Sequence, residues 1–247
     1  MIPHHTVTGD GPALVLSHSL GTTLEMWDPQ AGSLAERFML IRYDTRGHGG
    51  SDLPPGPYEL ADLGRDVVEL LDHLGVERAH VAGLSLGGMI AMWLGINAPE
   101  RVDRLALLCT SARMGPPQMW ADRAATVREH GTQAIVDSTL ERWLTEEYRS
   151  THDTGPLREM FVGVSGEGYA RCCGVIEHMD QIAELERITA PTLVIGGAQD
   201  PATPPDEHAA RIAAAIPDAR LEVLDPGAHL VNVERPDEVT RLLLEHF

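Results

Sequence analysis

The sequence has few cysteines, few basic residues and no long hydrophobic run, and each shortage excludes a class of protein. Its three cysteines, Cys109 and the adjacent Cys172 and Cys173, are an odd number without metal-site spacing, which argues against a disulfide framework. Only 19 lysines and arginines face 37 aspartates and glutamates, so a net charge of −18 disfavours nucleic acid or an anionic membrane as a partner. No apolar stretch approaches a membrane span and no basic-then-apolar leader opens the chain, so we expect a cytoplasmic protein.

Metal-ligand spacing is also missing. None of the twelve histidines lies two or four residues from another in the way that metal ligands do, and no carboxylate completes such a pair. We therefore expect no metal and no cofactor. What is present is an ordinary composition, with 43% hydrophobic residues in a chain of 247, enough to bury the core of one large α/β domain or two small ones.

The most informative stretch runs from an apolar segment, residues 80–84, through Ser85 into a helix-compatible segment, residues 88–97. Gly83 and Gly87 flank the serine in the pattern G-x-S-x-G, which is typical of the sharp strand-to-helix turn that carries a nucleophilic serine. Glycines are needed because this turn brings the strand and helix backbones together, and a Cβ at either flank would clash. The helix N-terminus would favour negative charge that develops beside the serine. The alternative is a purely structural glycine-rich turn.

Strand-like and helix-like segments alternate on both sides of this turn. Short continuous apolar runs predict buried strands, and apolar residues at helical spacing predict helices between them. The predicted strands are residues 5–8, 13–17, 38–43, 80–84, 102–109, 191–196 and 219–224. The predicted helices of this alternating part are residues 60–74, 88–97, 206–216 and 236–246. The order favours an α/β fold with a mostly parallel sheet of about seven strands, covered by helices on both faces.

Residues 111–188 interrupt the alternation, because their pattern is helical and contains no buried strand. We interpret this segment as a helical lid inserted into a core formed by residues 1–110 and 189–247. An independent helical domain is the alternative, but it would need linkers that the sequence does not contain.

A serine hydroxyl is a poor nucleophile until a base takes its proton, and that base needs a third group to orient it. In enzymes whose nucleophilic serine lies in such a strand-to-helix turn, the chain order of the three is serine, then an acid, then histidine, each after a strand. Asp200 follows the sixth predicted strand and His229 follows the last, so we predict a triad of Ser85, Asp200 and His229. Asp206 and Asp225 are competing acids, but Asp206 is predicted to lie in a helix and Asp225 ends its strand too early to reach the imidazole.

Two loops before the serine contain further polar candidates. His18 and His48 lie near the same edge of the sheet, and we expect each to hydrogen-bond to loop backbone. An oxyanion formed at the serine needs two N–H donors. We predict that they are the backbone groups of Leu86, directly after the serine, and of Leu20, in preference to Ser19, in the loop after the second strand.

Several longer stretches of the chain resemble one family. In the core they are residues 17–23, 26–28, 44–49, 83–89, 93–95 and 97–101. In the lid they are residues 142–145 and 168–173. On these residues the chain resembles the α/β-hydrolases, and through the lid stretches it resembles more narrowly the 3-oxoadipate enol-lactonases of the β-ketoadipate pathway. One departure is at the start, where there is room for one edge strand fewer than usual.

The resemblance implies hydrolysis of 3-oxoadipate enol-lactone, a five-membered lactone that bears a carboxylate, to 3-oxoadipate. Such a small anionic lactone needs a cationic seat, and Arg113, soon after the strand that ends at Cys109, is the candidate. The alternative for Arg113 is a solvated arginine of the lid. Trp143 is expected to face the ligand from the lid, with a simple core role as the alternative. The sequence is compatible with a monomer and with a homo-oligomer.

The triad alone does not separate this activity from that of another carboxylesterase, a thioesterase or a carbon–carbon-bond hydrolase of the same fold. Haloalkane dehalogenases are disfavoured because they carry a carboxylate where Ser85 lies. Outside the enzymes, the alternative is a ligand-binding protein that keeps the fold without turnover. The complete triad argues against it, because function is inferred from the site and not from the fold.

Overall fold

A seven-stranded sheet runs through the centre of the molecule in the computed structural model, which describes all 247 residues. The strands are β1 (His5–Thr8), β2 (Ala13–Ser17), β3 (Met39–Tyr43), β4 (Ala79–Leu84), β5 (Val102–Leu108), β6 (Thr192–Gly197) and β7 (Ala219–Leu224). Their spatial order is β1-β3-β2-β4-β5-β6-β7, in which β1 is antiparallel to β3 and every other pair of neighbours is parallel. The prediction of a mostly parallel sheet of about seven strands is confirmed.

Helices connect the strands and cover the sheet. The α-helices are α1 (Asp28–Ala35), α2 (Leu60–His73), α3 (Leu86–Asn97), α4 (Pro117–His130), α5 (Val136–Trp143), α6 (Glu146–Thr151), α7 (Gly155–Gly163), α8 (Gly166–His178), α9 (Ala209–Ala215), α10 (Val231–Glu234) and α11 (Pro236–His246). Short 3-10 helices span Leu24–Trp27, Pro99–Arg101, Thr132–Ile135 and Ile182–Arg187.

Burial explains why the central strands read as continuous apolar runs. Every residue of β2 and β6 is buried, whereas β1 and β7, at the two edges, are partly exposed. Parallel strands joined by helical crossovers are covered on both faces, so alternating polar positions are not needed. The helix that follows Ser85 is buried in the same way, since ten of the twelve residues of α3 are buried.

The chain from β5 to β6 contains α4 to α8 and no strand, as the helical pattern of residues 111–188 predicts. We call residues 109–191 the helical insertion; its role as a lid stays a prediction. The largest difference from the predicted helix boundaries is at the start of α9, which begins at Ala209 and not at position 206. The N–H groups of Glu207 and His208 both bond to the Pro204 carbonyl, each at 3.0 Å, so a turn precedes the helix and Asp206 lies in that turn.

Three further features concern membrane-spanning helices, metal sites and the cysteines. No helix combines the length and the apolarity that crossing a bilayer requires. No three histidine, cysteine or acidic side chains lie close enough together to hold a metal ion. All three cysteines are free and buried, and burial raises the pKa of the Cys173 thiol to about 12, which keeps that thiol protonated and unreactive.

Gly64→Ala tests how closely α2 packs on α3. A Cβ at position 64 would lie 1.9 Å from the Trp93 ring, so the ring or the helix must shift. We expect the free energy of unfolding to fall by about 1–3 kcal/mol, as overpacking usually costs. Urea unfolding followed by circular dichroism measures the change.

The matched control is Gly174→Ala in α8, where a Cβ meets no atom within 4 Å. Because alanine favours a helix over glycine by up to about 1 kcal/mol, this variant should be as stable as the wild type or more so. Equal stability of the Gly64→Ala variant and the wild type would contradict the packing described.

Candidate active site

Ser85 occupies a strained turn between β4 and α3. Its φ of 57° and ψ of −116° are unusual for a residue with a side chain. A Cβ at Gly83 would lie 2.1 Å from the Gly87 carbonyl oxygen, and one at Gly87 would lie 2.1 Å from the Ser17 carbonyl oxygen. The steric reason that the sequence predicts for the two glycines is therefore present in the structure.

Hydrogen bonds from β5 and the residues after it hold this turn in place. The Ser85 N–H donates to the Leu108 carbonyl at 2.9 Å, and the Thr110 hydroxyl donates to the Ser85 carbonyl at 2.6 Å. Thr110 also packs on the helix start, where a Cβ at Gly88 would lie 2.6 Å from its side chain. The backbone of the serine is thus fixed through both its N–H and its carbonyl.

Asp200 and His229 form a buried pair at the carboxyl ends of β6 and β7. Oδ2 of Asp200 lies 2.8 Å from Nδ1 of His229, and the two side chains are almost fully buried. The Thr203 hydroxyl at 2.6 Å and the Ala202 N–H at 2.8 Å also donate to the carboxylate. Asp225, the competing acid nearest in sequence, is exposed. Of the two, Asp200 is the acid that contacts the imidazole.

The environment of Asp200 favours its charged form. Burial of the carboxyl raises its pKa, but the opposite charge and hydrogen bond of His229, together with the hydrogen bonds from Thr203, lower it by more. The pKa of Asp200 therefore lies below its ordinary value. An ionised Asp200 accepts Nδ1–H and leaves Nε2 of His229 as the basic nitrogen.

Ser85 and His229 line one cavity of about 270 Å³ between the sheet edge and the helical insertion. The cavity is lined by residues 19, 20, 85, 89, 114, 115, 119, 120, 123, 139, 142, 143, 169, 176, 201–203, 208 and 229. Asp200 lies behind the imidazole, with the only hydrogen bond among the three predicted triad residues. Catalytic hydrogen bonds are often long before substrate binds, so a shared cavity wall is compatible with the predicted roles.

The N–H groups of the two predicted oxyanion donors, Leu20 and Leu86, have no acceptor within the protein. Leu86 is the first residue of α3, so its N–H has no acceptor within the helix. The N–H of Leu20, which lines the cavity, bonds to no acceptor in the protein. Their action on an oxyanion stays a prediction.

The loop that carries Leu20 is tied to the loop after β3 by two imidazoles. Nε2 of His18, in the first loop, accepts the Thr45 N–H of the second at 2.8 Å. Nε2 of His48, in the second loop, accepts the Gly21 N–H of the first at 3.2 Å. Each loop thus supplies a ring that binds the other loop's backbone, on either side of Leu20. We call His18 and His48 the crossed histidines; the expectation that they bind loop backbone is confirmed.

Both crossed histidines are neutral. Nδ1 of His18 faces the Ser19 carbonyl at 2.8 Å and Nδ1 of His48 faces the Arg46 carbonyl at 3.3 Å, so each ring carries its proton on Nδ1 and accepts at Nε2. Burial lowers the pKa of His18, and burial together with the nearby His18 ring lowers the pKa of His48 to about 3. A second proton on either ring would remove its Nε2 acceptor. Protonation of both rings would place two cations with their ring centroids 5.5 Å apart.

The structure corrects the assignment of Arg113. Its side chain is 59% exposed, lies outside the cavity and pairs with Asp180 at 3.3 Å. The cause is a tight turn after β5, in which the Ser111 hydroxyl donates to the Arg113 carbonyl at 2.6 Å and accepts its N–H at 3.1 Å. The side chain of Arg113 therefore belongs to the surface, whereas the next two residues, Met114 and Gly115, line the cavity.

Two other arginines, Arg123 of α4 and Arg142 of α5, line the cavity instead. Arg123 donates to the Tyr169 hydroxyl at 2.6 Å and to the Thr139 hydroxyl at 2.7 Å, and it has no carboxylate partner. Arg142 makes no hydrogen bond or ion pair within the protein, and burial and then the charge of Arg123 lower its pKa. In the sequence, the signal that could have indicated Arg142 as a cavity residue is its position directly before Trp143 in the lid stretch of residues 142–145.

Trp143 lines the cavity and is also packed in the core, and its contact with a ligand stays a prediction. It lines the cavity, and it is only 4% exposed with its ring edge-to-face on Phe161 at 5.4 Å between centroids. It is therefore part of the cavity wall as well as a core residue of the helical insertion.

The crossed histidines should make stability depend on pH. In the unfolded chain the pKa of His48 returns to about 6.5, against about 3 in the folded protein, so the unfolded state binds more protons below pH 6.5. The free energy of unfolding therefore falls as pH falls from 6.5 towards 3, and His48 alone contributes a loss of about 2 kcal/mol by pH 5.

Urea unfolding at pH 7 and pH 5 compares the wild type with His48→Gln, which cannot take up the proton. The difference between the two pH values should be smaller in this variant, and His130→Gln, at an exposed histidine, should retain the wild-type difference. The same pH effect in all three proteins would contradict a neutral His48.

Known proteins share this architecture. The profile of the alpha/beta hydrolase fold family matches residues 12–236. The 3-oxoadipate enol-lactonase 2 of Acinetobacter baylyi is 41% identical over 229 residues, which cover 92% of this chain and 85% of that protein. The 3-oxoadipate enol-lactonase 1 of the same organism is 34% identical over 241 residues, which cover 94% and 87%.

A solved structure agrees with these sequence matches. The crystal structure of the enol-lactonase from Burkholderia xenovorans superimposes with a TM-score of 0.95 at 39% identity, covering 98% of this chain and 95% of that one. The family profile spans β2 to β7, the strained serine after β4 and the helices between β5 and β6. This chain is a member of the α/β-hydrolase fold family.

Proposed function

We propose that this chain is a carboxylic-ester hydrolase that opens 3-oxoadipate enol-lactone to 3-oxoadipate. The observation that carries the proposal is a single small cavity that holds Ser85 and His229 together with Arg123 and Arg142, two arginines without a carboxylate partner. The first pair suits attack on an ester, and the second suits an anionic substrate. Relatives named 3-oxoadipate enol-lactonase at 41% and 34% identity support the choice of lactone.

In the proposed first step Nε2 of His229 takes the proton of the Ser85 hydroxyl as Oγ attacks the lactone carbonyl. Asp200 supports this step because it holds Nδ1–H at 2.8 Å and stabilises the imidazolium that forms. The carbonyl oxygen becomes an oxyanion beside the free N–H groups of Leu20 and Leu86. Loss of one such donor typically raises the barrier by about 3 kcal/mol.

The ring C–O bond then breaks and the leaving group is an enolate that stays tethered to the acyl chain. Ring closure would reverse the step. The imidazolium of His229 supplies a proton, and conversion of the enol to the ketone removes the nucleophile that would close the ring. Water activated by His229 next attacks the acyl-enzyme, which releases the acid and restores the Ser85 hydroxyl.

The substrate carboxylate is proposed to bind between Arg123 and Arg142. Arg142 is half-buried without a partner, and its lowered pKa reflects the cost of keeping that charge out of water beside Arg123. A carboxylate placed between the two guanidinium groups would offset this cost and form charge-assisted hydrogen bonds. The cavity volume of about 270 Å³ suits a ligand of this size.

Ser85→Ala tests the nucleophile. Hydrolysis of the enol-lactone, followed as loss of its ultraviolet absorbance, should fall by about 10⁴-fold or more, since triad serines act as part of a unit. A melting curve equal to that of the wild type serves as the folding control. Full activity in this variant would refute the proposal, and a wild-type preference for a simple aryl acetate over the lactone would favour a general esterase.

Arg142→Gln tests the anion seat. Removing a charged donor should raise KM for the lactone by about tenfold or more and change hydrolysis of an uncharged aryl acetate much less. The matched control is Arg113→Gln, which removes the same charge outside the cavity and should keep the wild-type KM. Equal KM values for the lactone in the Arg142→Gln variant and the wild type would rule out this seat.

A further inference from the structure

Both neighbours of His229 in the chain are bound to groups that reach the helical insertion. The Leu230 N–H donates to the Trp143 carbonyl at 2.9 Å, where the insertion leaves α5. On the other side of the imidazole, the Ala228 N–H donates to Oε2 of Glu234, the last residue of α10. The backbone that carries the proposed base is therefore not held by the core alone.

The second oxygen of Glu234 completes the connection to the insertion. Oε1 accepts the Thr145 N–H at 2.7 Å and the Thr145 hydroxyl at 2.8 Å. That hydroxyl in turn accepts the Tyr148 N–H at 3.2 Å and so caps α6. One carboxylate thus joins the start of α6 to the loop of His229 through three hydrogen bonds.

The anchor on the side of the insertion is closely packed. Trp143, two residues before Thr145, is 4% exposed and packs edge-to-face on Phe161, which is fully buried. A group tied to this turn cannot move without disturbing the cavity wall. In contrast, the partner of the imidazole itself, Asp200, fixes the ring only through Nδ1. The tilt of the ring and its distance from Ser85 depend on the backbone of residues 228–230.

We infer that Glu234 is a positioning residue, which sets the position of the His229 imidazole relative to Ser85 by tying residues 228–230 to the helical insertion. The inference rests on the proposed function of His229 as the base. A carboxylate is required because all three partners are donors, and both oxygens must accept. A glutamine of the same shape would turn its NH₂ group towards at least one donor and lose that hydrogen bond.

Glu234→Gln is the test, with kcat and KM measured on the enol-lactone and on 4-nitrophenyl acetate. We expect kcat to fall by about tenfold or more on both esters, because a displacement of the base by less than 1 Å has effects of this order. KM should stay within about threefold, since the side chains that line the cavity are unchanged. The melting temperature should change little. A purely structural role of Glu234 would instead lower the melting temperature together with the activity.

The matched control is Glu147→Gln. Glu147 lies beside the same junction, is exposed, and its carboxylate makes no hydrogen bond or ion pair, so this variant should keep the wild-type kcat. Thr145→Val removes the hydroxyl arm and leaves the backbone arm, and should lower kcat by less than Glu234→Gln. The double variant should be no slower than Glu234→Gln alone, because both changes break one connection.

A kcat of Glu234→Gln within about twofold of the wild type on both esters would overturn the inference. An equal fall of kcat in Glu147→Gln would also overturn it. So would a double variant in which the two reductions of kcat multiply, because the two changes would then act independently. If Glu234→Gln does not fold, Thr145→Val alone decides by the same comparison. A wild type that hydrolyses 4-nitrophenyl acetate but not the lactone would count against the proposed substrate, and the acetate data would still test Glu234.

Discussion

The architecture depends on one unfavourable backbone conformation. Ser85 is held at a φ of 57° by hydrogen bonds that its N–H and carbonyl form with Leu108 and Thr110, while Gly83 and Gly87 allow the strand and helix backbones to touch. This strain is retained because the largely apolar helix α3 is buried against the sheet and α2 and cannot shift to relieve it. The position of the serine is therefore set by the core. Leu20, Asp200 and His229 approach it from loops, and the two arginines of the cavity wall lie on helices of the insertion.

Those loops are held by polar groups whose charge state matters. The crossed histidines hold the loop of Leu20 only as neutral rings, whereas Asp200 binds His229 as a carboxylate, and Glu234 accepts from three donors. Each of these groups is buried or half-buried, where an incorrect proton would cost more than at the surface. The candidate site thus depends on defined protonation states within its loops. The core from which these loops extend is held together by apolar packing.

Features that depend on local pattern were predictable from the sequence. The seven predicted strands lie within a residue or two of the observed ones, and chain order with strand ends led to the Asp200–His229 contact. The exposed position of Arg113 was not predictable in this way, since its place in the chain after β5 says nothing of the turn that Ser111 forms. Arg123 and Arg142 were missed for a related reason. They meet only when separate helices of the insertion pack, and no local rule gives that packing.

The two arginines without a carboxylate partner, Arg123 and Arg142, have a consequence for how a ligand arrives. A chain with a net charge of −18 repels an anion at a distance, yet the walls of its cavity attract one at contact. At physiological ionic strength the repulsion extends only about 8 Å. Added salt should then have opposite effects on approach and on binding. It should ease diffusion of the anion to the entrance, and it should weaken the attraction between the anion and the arginines of the cavity.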